Sequence, residues 1–437
     1  MLLFLKNTEK SKNYFSFLLA LLPISFVAGN MIININVIIL IISSLILYGK
    51  KLFKFQFKLL DRLILLLFIF ILFTAFYNDI FFLINDLWPS GYHTILKSIL
   101  FLKYLFLYFT IKFLIGKKII NLKYFFISCS LCTLFVSFDI FYQFIFGKDL
   151  FGFEPVGRKL SGPFGDELIA GGYLQRFSIF SFFLIPLFFN NLSNKYLKFL
   201  IPILFVIFIS ALMLSGNRMP FMLFVFTISL IVLFHSQARK FLLPFIIIFS
   251  FLFITIYNSN DKVKTNFGAF KFQITKMLVI AAKGDFKDKN SPQYLREFAS
   301  FYDTWLINKY IGGGVKNFRF YCHTRPNIDK NSKFICNMHP HNYYLEILTE
   351  TGVIGFLIIS LIFLQILYLS FYKKYVSKTS FYANNTVVPF IFLFIAEIFP
   401  LKSTGSFFTT GNTTYLFLIL AIIVGLSCKE NSIEKKI

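Results

Sequence analysis

Apolar residues run in long blocks along this chain, separated by short polar connections, with little of the strict alternation of a half-buried strand. A bilayer core of about 30 Å needs roughly 20 apolar helical residues per crossing. Blocks of this kind lie near 15–30, 31–49, 62–78, 94–115, 123–146, 172–190, 196–214, 219–236, 241–257, 346–372, 383–400 and 412–428. The pattern predicts an all-α polytopic membrane protein with about twelve transmembrane helices. The first block follows Lys6, Lys10 and Lys12, as a signal peptide would. It runs into the second without a convincing small-residue cleavage site, so a retained helix is expected.

The polar connections predict the orientation. Lys50, Lys51, Lys54, Lys58 and Arg62 cluster at one end, followed by Lys117, Lys118 and Lys123, then Lys195 and Lys198, then Arg239 and Lys240. Lys373, Lys374, Lys378, Lys429, Lys435 and Lys436 continue the series. Because Lys and Arg collect in cytoplasmic loops, both termini are expected inside. The connection 258–340 is the exception: 83 residues on the outer side, with 14 Lys+Arg against 6 Asp+Glu, a net +8. Long translocated loops escape the charge rule, and a loop of this length is usually functional. Helical spacing over Phe267 to Lys283 and Tyr294 to Tyr310 predicts short helices on the membrane surface. The expected organisation is one integrated membrane domain: nine helices over 1–257, a periplasmic loop over 258–340, and three helices over 341–437.

Composition agrees and narrows the class. Of 437 residues 57% are hydrophobic and only 15% charged, which excludes a soluble multidomain protein and intrinsic disorder. The net charge is +24, but 65 Phe with abundant Ile, Lys and Asn suggest an AT-biased genome, so the placement of charge carries more weight than its sum.

Several constellations could carry chemistry. Cys322 and Cys336 lie together in the outer loop with 13 residues between them. In an oxidising compartment they read as a disulfide; with His323, His339 and His341 nearby, a zinc site is the competing reading. His341 stands at the water boundary of an incoming helix, on one stripe with Leu345, Leu348 and Gly352. A neutral imidazole there can serve as a general base, or can merely cap the helix. Gly352 and Gly355 suit close packing between membrane helices. Arg218, in the turn Ser215-Gly-Asn-Arg-Met-Pro220, can grip a phosphate bidentately or simply snorkel to lipid. Arg296 opens an amphipathic helix ahead of Gly312-Gly-Gly314, a run that is either a flexible joint or a backbone cradle. Asp139 with Gln143, Arg158 in the stretch Gly157 to Glu167, Lys103 and Glu397 are ionisable or polar groups in or beside spans, where burial is costly and usually faces a cavity. The sequence supplies no partner for Lys103 or Glu397. Walker, Rossmann, Gly-x-Ser-x-Gly and Asp-x-Asp motifs are absent, and no basic–aromatic module indicates nucleic acid.

The stretch His341-Asn342 through Leu345, Leu348, Glu350, Gly352 and Gly355 resembles the signature of the bacterial O-antigen ligase and polymerase superfamily, integral-membrane glycosyltransferases of the cell envelope. Arg218 in Ser-Gly-Asn-Arg resembles the family's small-residue turn bearing an Arg, with Asn217 where relatives often carry Ser. Arg296, followed by Tyr302, Trp305 and the triple Gly, resembles its second Arg region, and Arg158 to Glu167 resembles a stretch of some relatives. The resemblance implies an inner-membrane enzyme with a periplasmic site and no cofactor or metal. The donor would be an undecaprenyl-pyrophosphate-linked glycan. A ligase would use lipid A–core as acceptor; a polymerase would use a second lipid-linked glycan. His341 would be the base, Arg218 and Arg296 the pyrophosphate ligands, and Asn342, Glu350, Arg158, Asp139 and Lys103 supporting groups. A polysaccharide flippase or transporter is the rival from another class. It would usually show repeated halves, which this sequence lacks.

Overall fold

The computed structural model describes residues 8–53, 57–84, 93–189, 194–283, 292–322, 336, 340–379 and 384–434. Among them the chain is helical, with a lone antiparallel bridge between Val156 and Lys159 in place of any strand. The helices are α1 Thr8–Ala28, α2 Asn30–Tyr48, α3 Leu59–Ile84, α4 His93–Phe101, α5 Lys103–Gly116, α6 Leu122–Phe146, α7 Ala170–Phe177, α8 Ile179–Phe188 and α9 Asn194–Leu214. They continue as α10 Arg218–Phe234, α11 Leu242–Ser259, α12 Asp261–Lys283, α13 Gln293–Trp305, α14 Phe318–Tyr321, α15 Tyr343–Leu367, α16 Val388–Glu397 and α17 Thr410–Glu434.

Eight helices among the described residues are long and apolar enough to cross a membrane. The remaining blocks of the sequence pattern correspond to shorter pieces. Lys198–Leu214, Arg218–Phe234 and Asn385–Glu397 are apolar helices below the usual crossing length, and the block 172–190 is α7 and α8 meeting at Ser178. The described residues thus hold eight helices of crossing length where the hydrophobic pattern predicts about twelve. α17 is the central helix, with 89% of its apolar window buried against 11% for the segment Ser236–Ser259 at the periphery. α5 packs along α17, α1 lies between α2 and α6, and α15 packs against α3.

The long connection begins with more helix than the spacing suggested. α12 extends 23 residues from Asp261, directly after α11. α13 stops at Trp305 instead of continuing to Tyr310, and the Trp305 indole N–H turns back to the Lys309 carbonyl at 3.0 Å.

α15 is broken at Gly352, where φ is +63°. A break inside a span strands backbone groups that lipid cannot satisfy, and the segment 309–314 supplies the partners. Gly313 and Gly314 N–H groups donate to the Thr349 and Glu350 carbonyls at 3.0 and 2.9 Å; the Val353 and Ile354 N–H groups donate to the Lys309 and Tyr310 carbonyls at 2.9 and 3.2 Å. The splice is too close for side chains: a Cβ on Gly352 would collide with the Tyr310 carbonyl, and one on Gly312 with the 350–352 backbone. The triple Gly is thus neither a loose joint nor a ligand cradle. Gly352 is the hinge of the break, while Gly355 packs against Phe70 of α3.

Candidate functional site

Asn342, not His341, caps α15. Its side-chain oxygen accepts the Tyr344 and Leu345 N–H groups at 3.0 and 3.1 Å, satisfying two of the free donors of the first turn. The Asn342 side-chain nitrogen donates to the Pro400 carbonyl at 2.9 Å, tying the helix start to the 398–409 connection. His341 immediately precedes the cap with φ +54°, a left-handed conformation that few residues other than Gly, Asn, Asp and His adopt. The capping role that the sequence left open between these residues thus falls to Asn342.

Across from His341 lies a cluster of cations. The hairpin-like turn Val156–Lys159 is pinned to the turn before α10: the Leu160 N–H donates to the Ser215 carbonyl at 3.3 Å. A Cβ on Gly216 would stand 2.8 Å from the Arg158 carbonyl and 3.3 Å from Lys159 Cγ, so only Gly admits this approach. Arg158, Lys159 and Arg218 are electrostatic neighbours, and Lys159 is in turn a neighbour of His341. Burial first, and then Arg158 and Arg218, pull the Lys159 ammonium below its ordinary value. Burial first, and then Lys159, hold the His341 imidazole below its ordinary 6.5, which favours the neutral, proton-accepting form. The Arg218 guanidinium donates to the Asn266 carbonyl of α12 at 3.4 Å and lies over the Phe270 ring at 5.4 Å. Asn266 itself donates to the Gly216 carbonyl at 2.9 Å, so α12 steadies the turn that carries Arg218.

Arg296 sits in the first turns of α13, which packs against α15. Thr349 of α15 donates to the Phe301 carbonyl at 3.2 Å, and Phe301 stacks on Phe318 with ring centroids 3.4 Å apart. Cys322 and Cys336 form a disulfide with Cα atoms 5.8 Å apart, packed with Leu345 of α15 against this aromatic pair. His323 and His339 lie outside the described residues.

The supporting residues expected from sequence separate into two groups. Arg158 belongs to the cation cluster. Asp139, Glu350 and Lys103 make hydrogen bonds elsewhere in the fold. Asp139 accepts the Leu150 N–H at 2.8 Å, and Gln143 holds Gly162 and the Phe153 carbonyl, so α6 anchors the loop presenting Arg158 and Lys159. The Glu350 carboxylate accepts the Lys316 N–H at 2.8 Å and fastens the splice. The Lys103 ammonium donates to Asn34 at 2.6 Å.

Sequence reasoning missed a buried network beneath His341. The Arg176 guanidinium donates to Glu397 at 2.8 and 3.2 Å and to Asn412 at 2.6 Å. Lys402 donates to the same carboxylate at 2.6 Å, and the Tyr343 hydroxyl, two residues after His341, donates to it at 2.5 Å. Arg176 of α7, Tyr343 of α15 and Lys402 thus meet at Glu397 of α16, with Asn412 of α17 holding Arg176. The signal available in the sequence was the set of isolated charges in apolar surroundings, Arg176, Glu397 and Lys402.

No match to the chain is found among curated proteins. Residues 203–360, from within α9 to well past the middle of α15, match the family model described as O-Antigen ligase. That span contains Arg218, Arg296, the disulfide, His341, Asn342 and the Gly352 break, and the match supports the likeness of this part of the chain to the O-antigen ligase and polymerase superfamily.

Proposed function

We propose that the protein is an O-antigen ligase-type glycosyltransferase of the bacterial inner membrane, with its site facing the periplasm. It moves a glycan from an undecaprenyl-pyrophosphate carrier to a hydroxyl of lipid A–core. The observation that carries the reading is the packing of the Arg158–Lys159 turn onto the Gly216 turn that bears Arg218, with Lys159 an electrostatic neighbour of His341 at the start of α15. His341 accepts the acceptor's hydroxyl proton as that oxygen bonds to the anomeric carbon, and the bond from that carbon to the pyrophosphate oxygen breaks. The leaving pyrophosphate is already a stable anion, so it needs positive charge rather than a proton, which Arg218 and Lys159, with Arg296 on α13, would supply. His341 returns its proton to water once the products leave.

A polymerase of the same superfamily would use the same donor and residues with a second lipid-linked glycan as acceptor. The glycan profile of a deletion strain separates the two: core with no repeats and long chains left on the carrier supports the ligase, and core capped by one repeat supports the polymerase. Purified protein that carries lipid-linked glycan across vesicles without ever transferring it would overturn both.

A further inference from the structure

α10 is 17 residues long, so its ends are roughly 25 Å apart at 1.5 Å per residue. Arg218 is at one end, and at the other, beside His235, a cavity of about 670 Å³ opens between α8, α9, α10 and α11. That volume falls within the ~300–1,000 Å³ typical of ligand pockets. Phe182, Phe183, Ile228 and Phe245 form buried apolar walls. Ser236, Gln237 and Lys240, all exposed, form a polar mouth on one side. The segment carrying α11 is the most peripheral of the candidate spans, and an unfilled apolar space behind it would forfeit dispersion contacts.

Charge narrows the occupant. No Asp or Glu occurs anywhere in 168–260 or in 351–396, the stretches that contribute every wall residue. Cations collect there: Lys240 at the mouth, Arg239 beside it, and Lys374, whose ammonium donates at 3.0 Å to the Asn384 carbonyl next to Asn385 of the wall. Hydrocarbon walls with an acid-free basic mouth at a membrane-facing edge match one chemistry, a lipid tail with an anionic head.

We propose that this cavity binds one anionic phospholipid, with an acyl chain among Phe182, Phe183 and Phe245 and the phosphate at Lys240 and the Ser236–Gln237 corner. The site is remote from His341 and does not depend on the reaction assigned above.

Native mass spectrometry of the delipidated full-length protein tests it, with phosphatidylglycerol, phosphatidylcholine and undecaprenyl phosphate as separate probes. One phosphatidylglycerol should bind per chain in preference to phosphatidylcholine. Lys240→Glu should weaken it on the order of tenfold, and Ala238→Trp, which fills the cavity, should abolish it. Lys240 is exposed, so its variant should unfold at the wild-type temperature without lipid. Equal binding of the two glycerophospholipids, or binding unchanged in both variants, would overturn the proposal. Selective capture of undecaprenyl phosphate would overturn it in favour of the carrier lipid.

Discussion

The Glu397 carboxylate meets the Arg176 guanidinium at 2.8 Å, although 221 residues separate them in the chain. Lys402 meets the same oxygen at 2.6 Å, so two buried cations share one anion. Glu397→Gln should therefore cost about 3–5 kcal/mol, because it leaves two buried charges uncompensated. Adding Lys402→Met to Glu397→Gln should recover part of that loss by removing one of them. Thermal unfolding of the purified variants measures both, and a double variant no more stable than the single would contradict the charge accounting.

His341→Asn separates catalysis from capping. Asn tolerates φ near +54° and the cap at Asn342 is untouched, so the start of α15 should be kept. Transfer should fall by roughly 10²–10⁴, the usual scale for a lost general base. Asn342→Ala should behave oppositely at first sight, costing about 0.5–2 kcal/mol of stability. Near wild-type turnover in His341→Asn would remove His341 from the mechanism.

The pH profile follows from the depressed His341. Activity needs the neutral imidazole, so kcat/KM should fall only as pH drops below the ordinary 6.5, through the lowered value. Lys159→Gln removes a neighbouring positive charge, so His341 holds its proton more readily and the acid limb should move to higher pH. Steady-state rates over pH 4.5–8.5, a range chosen as roughly two units either side of the ordinary His value, read the shift. An unmoved limb would deny Lys159 its electrostatic role.

Arg218→Lys should be nearly as damaging as Arg218→Ala if the planar guanidinium grips the donor in two places, and Arg296→Lys should follow it. Donor KM and kcat measured separately in reconstituted vesicles decide this. Full rescue by Lys would reduce either residue to a point charge.

The splice at Gly352 gives a purely structural prediction. Gly352→Ala forces a Cβ into the Tyr310 carbonyl at a positive φ, and should destabilise more than any other alanine exchange in α15. Glu350→Gln keeps an acceptor for the Lys316 N–H and should be mild, whereas Glu350→Ala should cost about 1–3 kcal/mol. Unfolding temperatures order the three variants, and a Glu350→Gln as unstable as Glu350→Ala would indicate that the charge itself is required.

The helical membrane class was legible in the hydrophobic blocks, and local spacing singled out Arg218, Arg296 and His341 as candidates. Hydrophobic transfer and local spacing are sums over neighbouring residues, and both are legible without a fold. The tertiary structure alone decided what each polar group does. It identified Asn342 as the cap, gave Glu397 the partners Arg176 and Lys402, and turned Gly312–Gly314 into the backbone complement of a broken helix. It also gave Asp139 the Leu150 N–H and Lys103 the Asn34 side chain as partners, and made Lys159 an electrostatic neighbour of His341. The physical reason is that a buried charge or an unpaired carbonyl must be satisfied by whatever element packs beside it. Which element that is depends on contacts between helices far apart in the chain, and no local pattern encodes it.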